Sequence, residues 1–139
     1  MRIGATVALF LAGVFVGAML TPVLSGAADR RVYQLRTYTT HEGKLDALHA
    51  RFRHHTMRLF EKHGMTNVAY WTPEDPGLGS KTLVYLLAHQ SRDAAARSWE
   101  AFRNDPEWIK VKAESEAPGA IVSRVDSVFG SPTDYCPLK

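Results

Sequence analysis

Apolar and polar residues alternate with a period of two in four segments of the chain, and apolar residues recur at helical spacing in the segments between them. A period of two is typical of strands, and a period near 3.6 is typical of helices. The alternating segments are rich in β-branched and aromatic residues and predict strands at RVYQLRTYTT, MTNVAYWT, KTLVYLLAH and AIVSRVDSVF. Between the second and third of them, the prolines and glycines of PEDPGLGS indicate a surface turn.

Helix start signals divide the rest of the chain into three predicted helices. The first helix follows the first strand, and Ser91 caps a second one, RDAAARSWEAFRN. Asp105 and Pro106 begin a third, PEWIKVKAESE, because aspartate suits the cap and proline the first helical position. The resulting order, β-α-β-β-α-β, predicts an α+β fold of the ferredoxin-like type, with a four-stranded antiparallel sheet and helices on one face.

The first predicted helix contains the histidine-rich stretch RFRHHTMRLFEKHG. Thr39 and Glu42 have the spacing of a capping box at its start, and Gly64 supplies its stop. Apolar residues at helical spacing form a stripe that is expected to cover the sheet. The residues of this stripe are Leu45, Leu48, Phe52, Thr56 and Leu59.

The spacing of the histidines argues against a metal site on this helix alone. Two histidines on one helix chelate a metal at positions i and i+4, and no pair among His49, His54, His55 and His63 has that spacing. The sequence contains no nucleophile elbow and no glycine-rich phosphate loop, and it leaves any cofactor unknown. On a helical projection His54 points to solvent, whereas His55 flanks the stripe and is a candidate for lining a cleft.

The first and last strands are neighbours in a ferredoxin-like sheet, so we expect Arg36 and Asp126 to pair across them on the face that the helices leave uncovered. We assign Tyr38, Val84 and Leu86 to the same face, and a half-apolar surface of this kind needs a cover. The simplest cover is a second copy of the chain, which predicts a homodimer whose two sheets form an α/β-barrel. The alternative is a solvated sheet face with a surface ion pair of little consequence.

Aromatic residues are numerous for so small a domain and supply the candidate ligand site. Trp99 and Phe102 lie at helical spacing, beside three consecutive alanines that permit close helix–sheet packing or leave room for a ligand. Core packing and a lined cleft both fit this pattern. In a cleft, the expected ligand is small and largely apolar. The candidate ligand-binding residues are Arg36, Tyr38, His55, Trp71, Tyr85, Trp99 and Trp108.

The chain of 139 residues begins with one basic residue, Arg2, followed by an uncharged run that ends in small residues before Asp29. This order indicates a secretory signal peptide at residues 1–28 and hence an exported protein, periplasmic or secreted. An uncleaved membrane anchor is the alternative, because the 18 uncharged residues 3–20 just reach the length that spans a bilayer. The domain is predicted at residues 31–130, with a polar tail at 131–139.

Charge and cysteine content narrow the expected partners. The formal net charge is only +3, and no cluster of basic residues interleaves with aromatic ones, so nucleic acid is not an expected partner. A membrane is expected as a partner only through the N-terminal segment, if that segment is uncleaved. Cys136 is the sole cysteine and forms no disulfide within the chain, which leaves a free thiol or a bond between chains.

Three short elements occur in a specific order along the chain: Leu35-Arg36-x-Tyr38, His63-Gly64-Met65 and Asp105-Pro106-x-Trp108. With these elements, nearly all of the chain after the N-terminal segment, about residues 31 to 139, resembles the NIPSNAP family. The resemblance implies a dimeric α/β-barrel fold, in agreement with the fold derived from the pattern. It implies no catalytic residues. The family's animal members are associated with mitochondria and vesicle traffic, and because this chain has a predicted export signal, those cellular roles are not expected of it.

Three functions stay open at this point. The leading hypothesis is an exported homodimer that binds a small, largely apolar ligand in the cleft between helices and sheet. The second is an enzyme of the same barrel type, either a cofactor-free monooxygenase or a haem enzyme with His55 or His63 as base or axial ligand, although fold analogy alone does not assign chemistry. The third is a structural interaction module in which the tail SPTDYCPLK wraps a partner chain.

Overall fold

A four-stranded antiparallel sheet, covered by helices on one face, organises the computed structural model, which describes residues 31–138. The strand order is β2-β3-β1-β4, the order of a ferredoxin-like sheet, and every neighbouring pair is antiparallel. The predicted α+β fold is therefore confirmed. The strands are β1 (Val32–Thr40), β2 (Thr66–Trp71), β3 (Thr82–His89) and β4 (Val122–Gly130).

The first helix begins later than the sequence predicts. It consists of α1 (Leu45–Arg51), a π-helical turn (Phe52–Thr56) and α2 (Met57–Lys62). Thr39 belongs to β1 and no side chain caps the helix, so the predicted capping box is wrong. A turn that includes Gly43, with φ of +70°, separates strand from helix. The predicted stop is confirmed, because Gly64 has φ of +77° just after α2.

The π-helical turn inserts one extra residue into the middle of this helix. The backbone N–H of Met57 bonds the carbonyl of Phe52, five residues earlier, and the Thr56 hydroxyl donates to the carbonyl of Arg51 at 3.2 Å. Both Phe52 and Thr56 are buried. The insertion rotates the residues that follow, so that Phe60 joins Leu59 on the buried side of α2.

The later helices begin where the sequence predicts. The predicted turn between β2 and β3 contains a short helix, α3 (Pro76–Gly79). The two longer helices, α4 (Arg92–Arg103) and α5 (Pro106–Ser115), follow β3. The Ser91 hydroxyl accepts from the Ala94 N–H at 3.0 Å, and the Asp105 carboxylate accepts from the Glu107 N–H at 2.8 Å.

Asp105 also joins the end of the first helix to the start of α5. Lys62 Nζ and His63 Nε2 each lie 2.7 Å from its Oδ2 atom. Hydrogen bonds from Lys62 and then His63 hold the pKa of the Asp105 carboxyl well below its usual value. One buried carboxylate therefore caps α5 and ties that cap to α2.

The core lies between the helices and the covered face of the sheet, and Phe60 is at its centre. Its ring centroid lies 6.0 Å from those of Phe52 and Tyr85, 5.3 Å from Trp99 and 4.9 Å from Phe102. Aromatic pairs at these distances stabilise a core beyond the area they bury. This cluster fixes α2 and α4 against β3.

The uncovered face of the sheet is apolar at its centre. Leu35 of β1 is paired with Leu86 of β3 on one side and Val128 of β4 on the other, and Val84 pairs with Trp71 at the β2 edge. The exposed fraction is 39% for Leu35, 45% for Trp71 and 65% for Val128. We call this surface the open sheet face.

Two predictions about the sheet are wrong, because the alternation in β1 faces the other way. Tyr38 packs against the helix-side core, and Arg36 lies over the Trp99 ring, so both are on the covered face. Arg36 is opposite Ser127 rather than Asp126 in the β1–β4 register, and Asp126 instead accepts a hydrogen bond from Arg124 Nε at 2.7 Å.

The predicted signal peptide or anchor at residues 1–28 lies outside the described residues and stays a prediction. Within residues 31–138, no helix is long and apolar enough to cross a bilayer. The tail after β4 has no regular structure, and Tyr135 in it is 83% exposed. Cys136 is half-buried and free.

Candidate functional site

Two adjoining cavities open between the helices and the β1–β4 side of the sheet. Their volumes are about 420 Å³ and about 470 Å³, within the usual range for small-ligand sites. We name the smaller the Arg51 cavity and the larger the Trp99 cavity, after a residue that lines each, and together we call them the cleft. The two cavities share Tyr38, Phe102, Trp108 and Lys112.

Aromatic rings form the apolar wall of the cleft. The Trp108 ring lies 4.5 Å from that of Phe102, which in turn meets Trp99 edge-on at 5.7 Å. On the sheet side, Tyr38 contacts Phe52 at 6.0 Å. A wall of packed rings offers flat apolar surface with little side-chain freedom, which suits a planar ligand.

Gln34 of β1 organises the polar floor of the Trp99 cavity. Its Oε1 atom accepts from Trp99 Nε1 at 2.7 Å and from His89 Nε2 at 2.9 Å, while its Nε2 atom donates to Ser127 Oγ at 2.8 Å. Gln34, His89 and Trp99 are buried. The network holds the indole of Trp99 in one orientation, so that its face is presented to Arg36.

Arg36 is a half-buried cation that lines the Trp99 cavity. Its guanidinium carbon is 4.2 Å from the centroid of the Trp99 ring, and its Nη2 atom donates to the Tyr38 hydroxyl at 3.3 Å. Its Nε atom is buried and has no hydrogen-bond partner in the structure. Burial alone lowers the pKa of Arg36, but the hydroxyl groups of Tyr38 and Tyr85 raise it above its usual value, so Arg36 is permanently charged.

Arg51 closes the opposite end of the cleft. Its Nη1 atom lies 2.9 Å from Glu116 Oε1, and its guanidinium lies 5.3 Å from the Trp108 ring centroid. Arg51 is buried, so the ion pair with Glu116 compensates a charge that water does not reach. Lys112, the other cation that lines the Arg51 cavity, is exposed, so the buried charge of this cavity is paired.

Two buried polar groups below the cleft lack hydrogen-bond partners in the structure, namely the Tyr85 hydroxyl and His89 Nδ1. Burial raises the pKa of Tyr85 well above its usual value. Burial, followed by the charges of Arg36 and Arg92, lowers the pKa of His89 to about 4. His89 is therefore neutral at pH 7 and donates through Nε2 to Gln34.

The structure brings four of the seven sequence-predicted site residues together: Arg36, Tyr38, Trp99 and Trp108 all line the cleft. Tyr85 lies directly beneath them, fully buried, with its ring 5.3 Å from that of Tyr38.

The other two predicted residues lie elsewhere. His55 is half-buried in a groove between the first helix and α5, beside Val111 and Glu114, on the outer side of the helix layer. Trp71 is at the β2 edge and borders a separate cavity of about 390 Å³ with His49 and Tyr70. A regular helix repeat does not foresee the π-helical turn that separates His55 from the cleft.

Several residues of the cleft were missed by sequence reasoning. Gln34 shares a strand face with Arg36 and Tyr38, but that face was assigned to the wrong side of the sheet. Phe102 was recognised only as a neighbour of Trp99. Three exposed cations at the mouth of the Trp99 cavity carry no motif that would single them out: Arg92, Arg103 and Lys112.

No metal-binding cluster is found in the described part of the chain, where no three His, Cys, Asp or Glu side chains come together suitably for a metal ion. His63, one of the two residues considered as a haem ligand, has its Nε2 atom bonded to Asp105.

Comparison with known proteins gives the family and the fold. The sequence profile of the NIPSNAP family matches residues 33–137. A search of curated proteins finds no match.

Solved structures of similar fold come from several bacteria. A NIPSNAP family protein of unknown function from Agrobacterium tumefaciens has 19% identity and a TM-score of 0.68, over 81% of this chain and 96% of that one. A NIPSNAP domain protein from Burkholderia xenovorans has 21% identity and a TM-score of 0.64, over 76% and 98%. The cofactor-independent oxygenase SnoaB from Streptomyces nogalater has 15% identity and a TM-score of 0.53, over 78% and 98%. The profile match covers most of the chain, on a fold that solved members share, and so the chain belongs to the NIPSNAP family.

Proposed function

We propose that this protein binds a small, planar, largely apolar ligand in the cleft. The observation that carries the proposal is the ring wall of Trp99, Phe102 and Trp108 beside about 470 Å³ of open volume. A hydrophobic core normally fills such a space, since protein interiors pack to the density of organic crystals. The hydrogen bond from Trp99 to Gln34 fixes one wall in advance, which reduces the entropy lost on binding.

A neutral planar probe tests this proposal. Phenylnaphthylamine fluoresces when it enters an apolar site, and Ala96 on α4 lines the Trp99 cavity. We expect the variant Ala96→Trp to fill the cavity and to weaken binding of the probe by about 10-fold or more, because the ring contacts of the ligand are lost. Fluorescence titration of the purified protein gives the dissociation constant.

The matched control is Ala101→Trp, which places the same side chain at an exposed position of the same helix, outside the cleft lining. This variant is expected to bind the probe as tightly as the parent protein. Equal binding by all three proteins would mean that the probe sits elsewhere, and the cleft would lose its assignment.

Enzymatic turnover receives less support from the geometry. SnoaB shows that a similar fold can serve a cofactor-independent oxygenase, but the likeness is one of fold. Among the described residues, the only carboxylate that lines the cleft is Glu116, which is paired with Arg51, and no histidine lines it. A general base or an axial haem ligand at His55 is not favoured, since that ring lies on the outer side of the helix layer.

We also propose that two copies of the chain associate through their open sheet faces. The face has the apolar centre of Leu35, Leu86 and Val128 and carries both an arginine, Arg124, and an aspartate, Asp126. A patch that holds both signs of charge can complement its own copy across a two-fold axis, as an isologous contact requires. An unpaired face of this composition is unusual in a monomer.

Leu35→Glu tests the dimer, because the substitution places a carboxylate in the apolar centre of the face on each copy. We expect the dissociation constant of the dimer to rise by at least about 100-fold, since two buried like charges lack partners. Sedimentation velocity over a concentration series measures this change. Leu78→Glu is the control, because Leu78 on α3 is also exposed, at 51%, but does not lie on the sheet. A folded wild-type protein that is monomeric at micromolar concentration would refute the proposal.

A further inference from the structure

The Trp99 cavity carries positive charge that the protein itself does not neutralise. Four cationic residues line it, and no carboxylate does so among the described residues. None of the four makes an ion pair within residues 31–138. The four residues are Arg36, Arg92, Arg103 and Lys112.

Arg36 is the decisive member of this set. Charged groups removed from water are usually paired with an opposite charge, because burial of an isolated charge is costly. Arg51, at the other end of the same cleft, follows this rule through Glu116. Arg36 lies over the Trp99 ring, at 4.2 Å, and donates to the Tyr38 hydroxyl, at 3.3 Å. The Tyr85 hydroxyl also acts on it. These groups orient the guanidinium and stabilise it partly, but they bring no negative charge.

The guanidinium is also well prepared to receive an anion. Stacking against Trp99 holds one face of its plane, and Gln34 in turn holds the indole. A guanidinium whose plane is fixed loses little further freedom when it forms paired hydrogen bonds with a carboxylate. Arg92 is stacked on Phe129 at 3.5 Å in the same way, at the edge of the cavity.

We propose that the ligand of the cleft is an amphipathic anion: a planar, largely apolar ring system with one carboxylate or equivalent acidic group, whose anionic end lies against Arg36 in the Trp99 cavity. This inference rests on the proposed function and names the chemical class of the ligand. The ring system packs along Trp99 and Trp108. Arg103 and Lys112, which are exposed, draw the anion to the mouth of the cavity.

A pair of probes that differ in a single charged group tests the inference. Anilinonaphthalene sulfonate has the ring skeleton of phenylnaphthylamine plus one sulfonate. We expect the wild-type protein to bind the sulfonate probe at least about 10-fold more tightly than the neutral probe, because the anion forms charge-assisted hydrogen bonds in a partly desolvated site. The ratio of the two dissociation constants is the readout, since it cancels the contribution of the rings.

Three variants locate the charge that sets this ratio. Arg36→Met keeps an unbranched apolar side chain over Trp99 and is expected to lower the ratio to about 3, the part that the exposed cations still supply. Should that variant fail to fold, as judged by near-ultraviolet circular dichroism, the double variant with Arg103→Gln and Lys112→Gln alters only exposed residues and is expected to lower the ratio by about 3-fold. Arg97→Gln is the control, because Arg97 is exposed on α4, as Arg103 is, but lies outside the cleft lining. This variant is expected to leave the ratio unchanged.

The outcomes separate this inference from the proposed function. If both probes bind equally well to the wild type and Ala96→Trp blocks both, the cleft binds apolar rings and the anion inference is wrong. The anion inference is also wrong if the sulfonate probe is preferred but neither Arg36→Met nor the double variant changes the ratio. If Ala96→Trp affects neither probe, the cleft itself is not the site and the proposed function fails first.

Discussion

Replacement of Gln34 by leucine is expected to lower the free energy of unfolding by about 3 kcal/mol, because two buried donors lose their acceptor at about 1–3 kcal/mol each. Leucine fills nearly the same volume, so little of the loss comes from a cavity. The donors are Trp99 Nε1 and His89 Nε2, and both residues are buried. Urea denaturation followed by far-ultraviolet circular dichroism measures the change, with the slope of the transition expected to stay constant.

The third hydrogen bond of Gln34 provides the control. Ser127 is exposed and accepts from the Gln34 amide at 2.8 Å, so Ser127→Ala is expected to cost no more than about 1 kcal/mol. A loss below about 1 kcal/mol for Gln34→Leu would mean that water or a shifted side chain satisfies Trp99 and His89. The indole would then not be fixed by Gln34, and the preorganised wall of the cleft would need another explanation.

The fold was predictable because several independent signals agree along the chain. The caps at Ser91 and Asp105 mark the starts of α4 and α5, and Gly64 marks the end of the first helix. Each depends on local backbone chemistry, which a sequence carries in full. The start of the first helix was misplaced because β1 extends through Thr40, and the sheet ladder overrides the capping preference of Thr39.

The orientation of β1 was not predictable from its alternation. A period of two separates the two faces of a strand but does not say which face the helices cover. The face with Leu35 is the more apolar by composition, yet the helices cover the face with Gln34, Arg36 and Tyr38. The inward polar residues bond to one another and to Trp99, which no local signal encodes.

The candidate site was predictable in its aromatic part and in Arg36, although Arg36 was assigned to the wrong face of the sheet. Trp99 and Trp108 stand out by size and spacing, and they do line the cleft. The position of His55 was misjudged because the π-helical turn depends on a hydrogen bond between Met57 and Phe52 that replaces the regular pattern. The two faces of β1 also differ in their surroundings: the polar face lines the cleft, while the apolar face is uncovered within the described residues.

A second large effect is expected from pH, because His89 is held neutral in the folded protein. Its pKa is about 4 in the folded chain, against 6.5 for an ordinary histidine, owing to burial and then to the charges of Arg36 and Arg92. At a pH between these two pKa values, His89 binds a proton in the unfolded chain but not in the folded chain. The free energy of unfolding therefore falls as the pH is lowered from about 6.5 to 4. The loss attributable to His89 reaches at most about 3 kcal/mol, and urea unfolding at several pH values measures it.

The source of this pH dependence can be isolated by comparing two histidine variants. His89→Gln keeps a donor for Gln34 and removes the titrating group, so its stability is expected to vary much less over the same range. His54→Gln is the control, because His54 is exposed on the first helix and its solvent environment changes little on unfolding. The Asp105 carboxyl, whose pKa lies well below its usual value, loses its stabilising charge only at lower pH, so it contributes little to the pH dependence between 6.5 and 4.

An equal pH dependence in the wild type and His89→Gln would show that His89 is protonated in the folded state over this range, where its charge would stand beside those of Arg36 and Arg92. That result would also require a negative partner in the cleft that the described residues do not provide.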